Sequence, residues 1–427
     1  MTNCRFHWLI SRYGRWVWLV GMLCLNGHSW AQTLPEAIRQ ALLAYPAAEA
    51  ARANSAGAAA ELDRARAARW PVLSIGATGV EQTGAPRPWS GSPQLSYSVF
   101  AGGGIEAGVD RAQSLLGAAE WRAGATYDDV AQQAAEAYLG WSRAQDLVEL
   151  ARDNVIAHQR IHDDVAKIVA VDTGRRIDLF QAQVRVDAAR LTQVQREIEL
   201  AQANERLARF LGGTLPPKPA GIDAEPGRAP SGLSDALVAA SNEHPQLAQL
   251  AAQLEGARAG VNIAKAQRMP KVDFSVSRPV NPYTQQVDTL AQLSVSMPVF
   301  NGGALVAGVD VARAQERAAE LALDESRLVV RERISASWAE WQSSASRARL
   351  SEEQRLSGAT LVNGYREQFR LARRSLLDLL NIQNDFFNYG SAAISADYER
   401  RVARFRLSAA MGELGRFYLA GNQRAEK

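Results

Sequence analysis

Between residues 34 and 420 the spacing of apolar positions changes in the same order twice. Residues 34–69, rich in Ala, Arg and Glu, read as one helix opened by Pro35 and ended by Pro71. A period of two follows. Leu73, Ile75 and Ala77 alternate with Ser74, Gly76 and Thr78, residues 84–93 (GAPRPWSGSP) turn the chain, and Leu95, Tyr97 and Val99 alternate with Ser96 and Ser98. The second pass is cleaner: Val272, Phe274 and Val276 against Asp273, Ser275 and Ser277, then Leu293, Val295 and Met297 against Ser294 and Ser296. Each pass predicts a hairpin of strands about ten residues long, the length that crosses a bilayer in a tilted barrel with apolar side chains out and small polar ones in. Four strands cannot close such a barrel, for which about eight is the usual minimum, so several chains would have to share one.

After each Gly-Gly the period returns to that of a helix and stays there. From Ile105 to Val171 there is no proline, which predicts a helix about 100 Å long at about 1.5 Å per residue. Positions 141, 144, 148, 151, 155, 158, 162, 165 and 169 hold Trp, Ala, Val, Ala, Val, His, His, Val and Val, seven of nine apolar, as a coiled-coil seam requires. Asp172-Thr173-Gly174 breaks this helix and a second runs from about Arg175 to Leu211. Residues 212–232 (GGTLPPKPAGIDAEPGRAPSG) form a Pro/Gly linker, and another helix runs from about Ser234, capped by that serine and Asp235, to Arg268. The two shorter helices, end to end, match the long one in length, which would set the linker halfway along a rod.

The two passes are one unit written twice. Val99-Phe100-Ala101-Gly102-Gly103 recurs 200 positions on as Val299-Phe300-Asn301-Gly302-Gly303, Ala107-Gly108-Val109-Asp110 as Ala307-Gly308-Val309-Asp310, and Asp178-Leu179 as Asp378-Leu379. A period this long is a duplicated domain-scale unit rather than a solenoid. The division that follows is a leader at 1–31, a first repeat at 32–212 with its hairpin at 71–101 and a turn near 172–178, and a linker at 213–233. The second repeat spans 234–420 with its hairpin at 270–300 and a turn near 370–378, and a tail occupies 421–427.

The leader reading rests on Arg5, Arg12 and Arg15 ahead of the apolar run at 16–25 (WVWLVGMLCL), with small residues Ser29 and Ala31 at the −3 and −1 positions of a cut after Ala31. The run is too short to span a bilayer as a helix, and Leu23 ahead of Cys24 argues against acylation. The whole chain carries 48 Lys+Arg against 45 Asp+Glu; without the three leader arginines the balance is even, which argues against nucleic acid. Both cysteines, Cys4 and Cys24, also fall in the leader, so disulfides, thiolate metal sites and a cysteine nucleophile are not expected beyond it. His158 and His162 stand at i and i+4, but position 159 is not the acid that a metalloprotease helix needs. Gly102-Gly103-Gly104 lacks the Lys-Ser/Thr of a phosphate loop. No catalytic set assembles, so neither an enzyme nor a cofactor is expected.

The element order, the Val-Phe-x-Gly-Gly closing each hairpin, and the stretch Gln368-Phe369-Arg370-Leu371-Ala372-Arg373-Arg374-Ser375-Leu376-Leu377-Asp378-Leu379-Leu380-Asn381 resemble the TolC-type outer-membrane factor family across essentially the whole chain after the leader. The resemblance implies a mostly α chain with a small β part. Three chains would share a twelve-stranded outer-membrane barrel and extend a helical tunnel through the periplasm, where a periplasmic adaptor and an inner-membrane ABC or RND pump dock at its far end. The function it implies is an exit duct for protein secretion or small-molecule efflux. The competing reading is a soluble periplasmic coiled-coil scaffold without a pore, which would not need the paired alternating strands.

At the helix turns, three copies of Asp178 and of Asp378 would form carboxylate rings about a threefold axis, favouring cations; alternatively they are acids at helix N-termini that complement the dipole. The resemblance places an aperture acid at Asp378, a second aperture position at Asn381, and a gating latch of Arg374, Phe369 and Asp178. It makes Gly174, Arg175, Ala372 and Arg373 the adaptor-contact tip. Asn381 and Phe369 replace an acid and, in the latch, a hydroxyl-bearing aromatic, and Ala372 replaces a glycine common in the family. Trp70, Trp89, Tyr97, Phe100, Phe274, Tyr283 and Phe300 gather at strand ends, where barrel girdles sit.

Overall fold

The computed structural model describes residues 33–79, 89–213, 215–280 and 286–425. The leader 1–31, residues 84–88 of the turn expected at 84–93, Tyr283 and the last two residues of the tail lie outside them, while residues 89–93 of that turn are strand, paired with the strand that precedes the turn. The elements are α1 (Leu34–Ala44), α2 (Pro46–Ala67), β1 (Val72–Gly79), β2 (Trp89–Phe100), α3 (Gly104–Val171), α4 (Arg176–Leu211), α5 (Leu233–Glu243), α6 (Pro245–Ala266), β3 (Lys271–Ser277), β4 (Leu290–Ser296), α7 (Ala304–Arg370), α8 (Leu376–Ala410) and α9 (Leu414–Ala425). The halves match in order and in size: 11 and 22 residues in α1 and α2 against 11 and 22 in α5 and α6, 68 in α3 against 67 in α7, and 36 in α4 against 35 in α8.

Two helices expected to be continuous are broken. Pro46 and Pro245 each lack the N–H that an interior position must donate and hold the preceding residue out of the helical region, so Tyr45 (ψ 133°) and His244 (ψ 122°) are extended and a new helix starts after each. The expected cap at Ser234 is also displaced. Gly232 takes the N-cap with extended backbone, α5 begins at Leu233, and Asp235 lies in its first turn with Ser231 donating to its carboxylate.

The strands form one antiparallel sheet in the order β1-β2-β3-β4, so β2 pairs with β3 across the repeats. Its register matches apolar to apolar: Leu73 with Leu95, Leu95 with Val276, Tyr97 with Phe274, Phe274 with Leu293, and Val272 with Val295. Ser96, Ser275 and Gln292 line up on the other face. At 8, 12, 7 and 7 residues the strands depart from the expected ten; β3 starts directly after Pro270, and Pro298 cannot extend the ladder beyond β4. Ile75, Leu293 and Val295 are more than 60% exposed in the single chain. The Gly-Gly pairs turn strand into helix through left-handed backbone, with φ of 60° and 82° at Gly102 and Gly103 and 68° and 87° at Gly302 and Gly303.

The main core lies midway along the helices. Leu34, Ile38 and Leu42 of α1, Tyr138, Leu139 and Trp141 of α3, Leu207 and Phe210 of α4, Phe405 of α8 and Leu414 and Tyr418 of α9 pack together there. The linker is threaded over this core by its backbone. The Tyr138 hydroxyl donates to Ala220 O (3.0 Å) and accepts from Ala220 N (2.9 Å), while Arg401 donates to Ile222 O (2.9 Å) and Ser408 to Pro226 O (3.1 Å). Helix α9 docks by close approach: a Cβ on Gly415 would stand 2.8 Å from the Tyr127 backbone, and Asp128 Oδ1 accepts the Gly415 N–H at 2.7 Å. Burial pushes the Asp128 carboxyl up to about 7, against the opposing pull of that hydrogen bond and of Arg416.

Tipward of this core the seam of α3 runs through Leu147, Ala151, Asn154, His158, Ile161 and Val165. It is therefore shifted by one residue at two of the expected positions. Asn154 rather than Val155, and Ile161 rather than His162, face the neighbouring helices; His162 is turned outward beside Asp163, with Nδ1 3.1 Å from Oδ1. Among the described residues no helix is long and apolar enough to cross a membrane, and no group of three or more His, Cys, Asp or Glu side chains could hold a metal ion.

Candidate functional site: the helix turns at the rod tip

The two turns that join α3 to α4 and α7 to α8 are built differently. At the first, Asp172 caps a one-turn 3-10 segment, Thr173–Arg175, by accepting the Gly174 N–H at 3.1 Å. Arg175 then folds forward onto Asp178 in the first turn of α4, with Nε and Nη2 at 2.8 and 2.7 Å from Oδ2. Within the chain, Asp178 is thus paired locally and sits where a carboxylate complements the helix dipole.

The second turn closes α7 with a Schellman pair, in which Arg373 N–H donates to Gln368 O at 2.8 Å and Ala372 N–H to Phe369 O at 2.9 Å. This puts Ala372 in the left-handed region at φ 55°, the one non-glycine residue with positive φ among the described residues. That conformation explains why glycine suits the position. Ser375 then caps α8: its Oγ accepts from Asp378 N at 3.2 Å and donates to Asp378 Oδ2 at 2.8 Å. Asp378 is therefore the third residue of a capping box and is fixed in place by it.

Beneath the turns, Phe369 packs with Ile161, Val165, Leu376, Leu379 and Leu380 in a small core that joins α3, α7 and α8. The predicted latch residues do not meet within the chain. Phe369 faces this core, and the aromatic that Arg374 reaches is Tyr365, with the guanidinium 4.4 Å from its ring centroid while Nε donates to Gln368 Oε1 at 3.0 Å. Tyr365 stands one helical turn before Phe369, a spacing visible in the sequence. Gln368 becomes a partner only through the reversal at Ala372. Asn381, the second aperture position, accepts from Arg185 Nη2 of α4 at 3.1 Å; these residues are 196 positions apart, and local pattern carries no signal for that contact.

Exposed around the turns are Val171, Ile177, Leu371 and Leu377, flanked by Arg175 and Arg373. Helix α4 continues this apolar surface as a stripe of heptad spacing, Ile177, Phe180, Val184, Leu191, Val194 and Ile198, each more than half exposed. Chemically, the tip offers fixed carboxylates, unburied arginines and uncovered apolar side chains, with no set of groups arranged for a covalent step.

Comparison with known proteins bears on most of the chain. The profile of the family described as outer membrane efflux protein matches residues 37–213 and 236–413, one stretch in each half. Protein CyaE of Bordetella pertussis is 26% identical over 411 residues, 91% of this chain and 86% of that protein. The alkaline protease secretion protein AprF of Pseudomonas aeruginosa is 25% identical over 327 residues, 74% of this chain and 66% of that protein. The solved structure of CusC superposes with a TM-score of 0.79 at 18% identity, covering 89% of this chain and 92% of that one.

Proposed function

Because the chain belongs to the outer membrane efflux protein family, we propose that three copies assemble into a passive export duct whose barrel lies in the outer membrane and whose helices form a tunnel through the periplasm. The protein is an outer-membrane channel with a periplasmic helical extension, and its family consists of transport ducts rather than enzymes. The observation that carries the trimer is the sheet. Its four strands leave β1 and β4 unpaired at the edges and a continuous apolar face uncovered. A soluble scaffold has no use for such a face, whereas closure with other copies removes both edges and turns the apolar face to lipid. The uncovered heptad stripe of α4 supplies the corresponding interface between copies along the rod.

At the tip, Asp378 and Asp178 of three protomers ring the axis and favour cations, and Asn381 one turn further adds no charge. Arg374 turns from Tyr365 and Gln368 to a neighbour's Asp178 as the latch of the closed state, with Phe369 supporting it from the tip core. Gly174, Arg175, Ala372 and Arg373 meet a periplasmic adaptor linked to an inner-membrane ABC or RND pump. The likeness to the alkaline protease secretion protein AprF favours protein as cargo. Native mass spectrometry of the detergent-extracted protein tests the assembly. Three copies are expected in the wild type and loss of the trimer in Phe180→Asp with Leu191→Asp; a monomer in the wild type would overturn the reading.

A further inference from the structure

The contacts of α8 with α3 change in kind along its length. Toward the middle of the rod they are firm: Tyr398 donates to Asp146 Oδ2 at 2.8 Å, and Gly390 lets Leu150 approach so closely that a Cβ there would lie 3.1 Å from its methyl carbons. At the tip the apolar core of Ile161, Val165, Leu379 and Leu380 closes the seam. Between them lies a polar layer in which Asn154 Oδ1, His158 Nδ1 and Gln383 Oε1 are buried without hydrogen-bond partners. Their side chains are more than nine-tenths buried, so each atom bears a desolvation cost that water would relieve once the helices part. A cavity of about 220 Å³ beside Asn154 and Gln383, reaching Val362 and Arg366 of α7, leaves room for that parting.

One contact spans this weak layer from the other side. Arg185, on α4, donates to Asn381 on α8 at 3.1 Å. Arg185 also lies close enough to His158 for its charge, after burial, to help hold the imidazole's pKa down at about 4, so the ring stays neutral beside the guanidinium. We propose that Arg185 and Asn381 form a clamp within each protomer that holds the tipward end of α8 across this under-bonded polar layer, and that releasing the clamp opens the tip. The clamp rests on the duct reading, but it is a different pair from the latch at Arg374 and acts inside one chain.

The clamp and the layer act in opposite directions, and the test uses both. Hydrogen exchange of residues 376–386 in the detergent-solubilised full chain reads the opening of α8 whether or not the protein conducts. Arg185→Ala and Asn381→Ala are expected to speed this exchange about two- to fivefold, the range of an exposed charged contact. Gln383→Leu and Asn154→Leu, which replace unpartnered polar groups by apolar ones, are expected to slow it at least about fivefold. Asn381→Asp, which gives Arg185 a carboxylate, slows it as well, whereas a residue acting only as aperture charge would leave it unmoved. Single-channel conductance is expected to follow the same order. Unchanged exchange in Arg185→Ala, or faster exchange in both leucine variants with α9 protection intact, overturns the clamp. The expected exchange order without conductance in any variant keeps the clamp and overturns the duct.

Discussion

Replacing Asp128 by asparagine separates the shape of the α9 anchor from its charge. Asparagine keeps an Oδ1 acceptor for the Gly415 N–H, now at 2.7 Å, and removes a carboxylate that burial forces up to about 7 from 3.8. The folded-state value lies above the unfolded one, so protonation favours the docked helix. The stability is complete below about pH 4 and is lost as pH rises through 7. A separation of about three units corresponds to about 4 kcal/mol well above pH 7, of which about 3 kcal/mol is lost between pH 5 and pH 8. Hydrogen exchange of the α9 amides, corrected for base catalysis of exchange itself, measures the local opening free energy. The wild type is expected to lose about 3 kcal/mol of protection over that range, and Asp128→Asn to show a flat profile and stronger protection at pH 8. A variant less protected than wild type at pH 8, or one that keeps the slope, would refute the reasoning, since the contact would then depend on the charge.

Ala372→Gly relieves a left-handed alanine and is expected to stabilise the tip turn by about 1 kcal/mol, read as slower exchange at the Arg373 amide. Ser375→Ala removes the capping box at Asp378 and is expected to cost about 1 kcal/mol, seen as faster exchange over the first turn of α8. Tyr138→Phe leaves Ala220 N without its hydroxyl acceptor, while Ala220 O keeps the Leu34 N–H at 3.1 Å; a loss of about 1–3 kcal/mol is expected, with faster proteolysis within the linker as the check.

The order of the elements was legible because each change of structure is a change of period, and the Gly-Gly pairs mark where the chain must turn. The breaks before Pro46 and Pro245 were missed, because Ala-rich composition was read as unbroken helix although each proline lacks the N–H an interior position must donate. The seam of α3 was legible only to within a residue, because Asn154 and Val155, or Ile161 and His162, sit side by side on a helix and only the neighbouring helices decide which turns inward. At the tip, residue identities located the two helix turns, but the partners of the side chains there did not follow from them. Arg374 reaches Tyr365 because Ala372 reverses the chain, and Arg185 meets Asn381 because the α3/α4 pair packs against the α7/α8 pair. The proposed threefold assembly lies beyond one chain's pattern, which carries only the surfaces left uncovered on β1, β4 and α4.

The central claim is tested most directly by the current through single oligomers of the purified wild-type protein in a planar bilayer. A small, cation-selective conductance that loses its selectivity in Asp378→Ala is expected, because three carboxylates at one constriction set the sign of the ions admitted. Absence of conductance from verified membrane-extracted oligomers, or selectivity for anions, would contradict it.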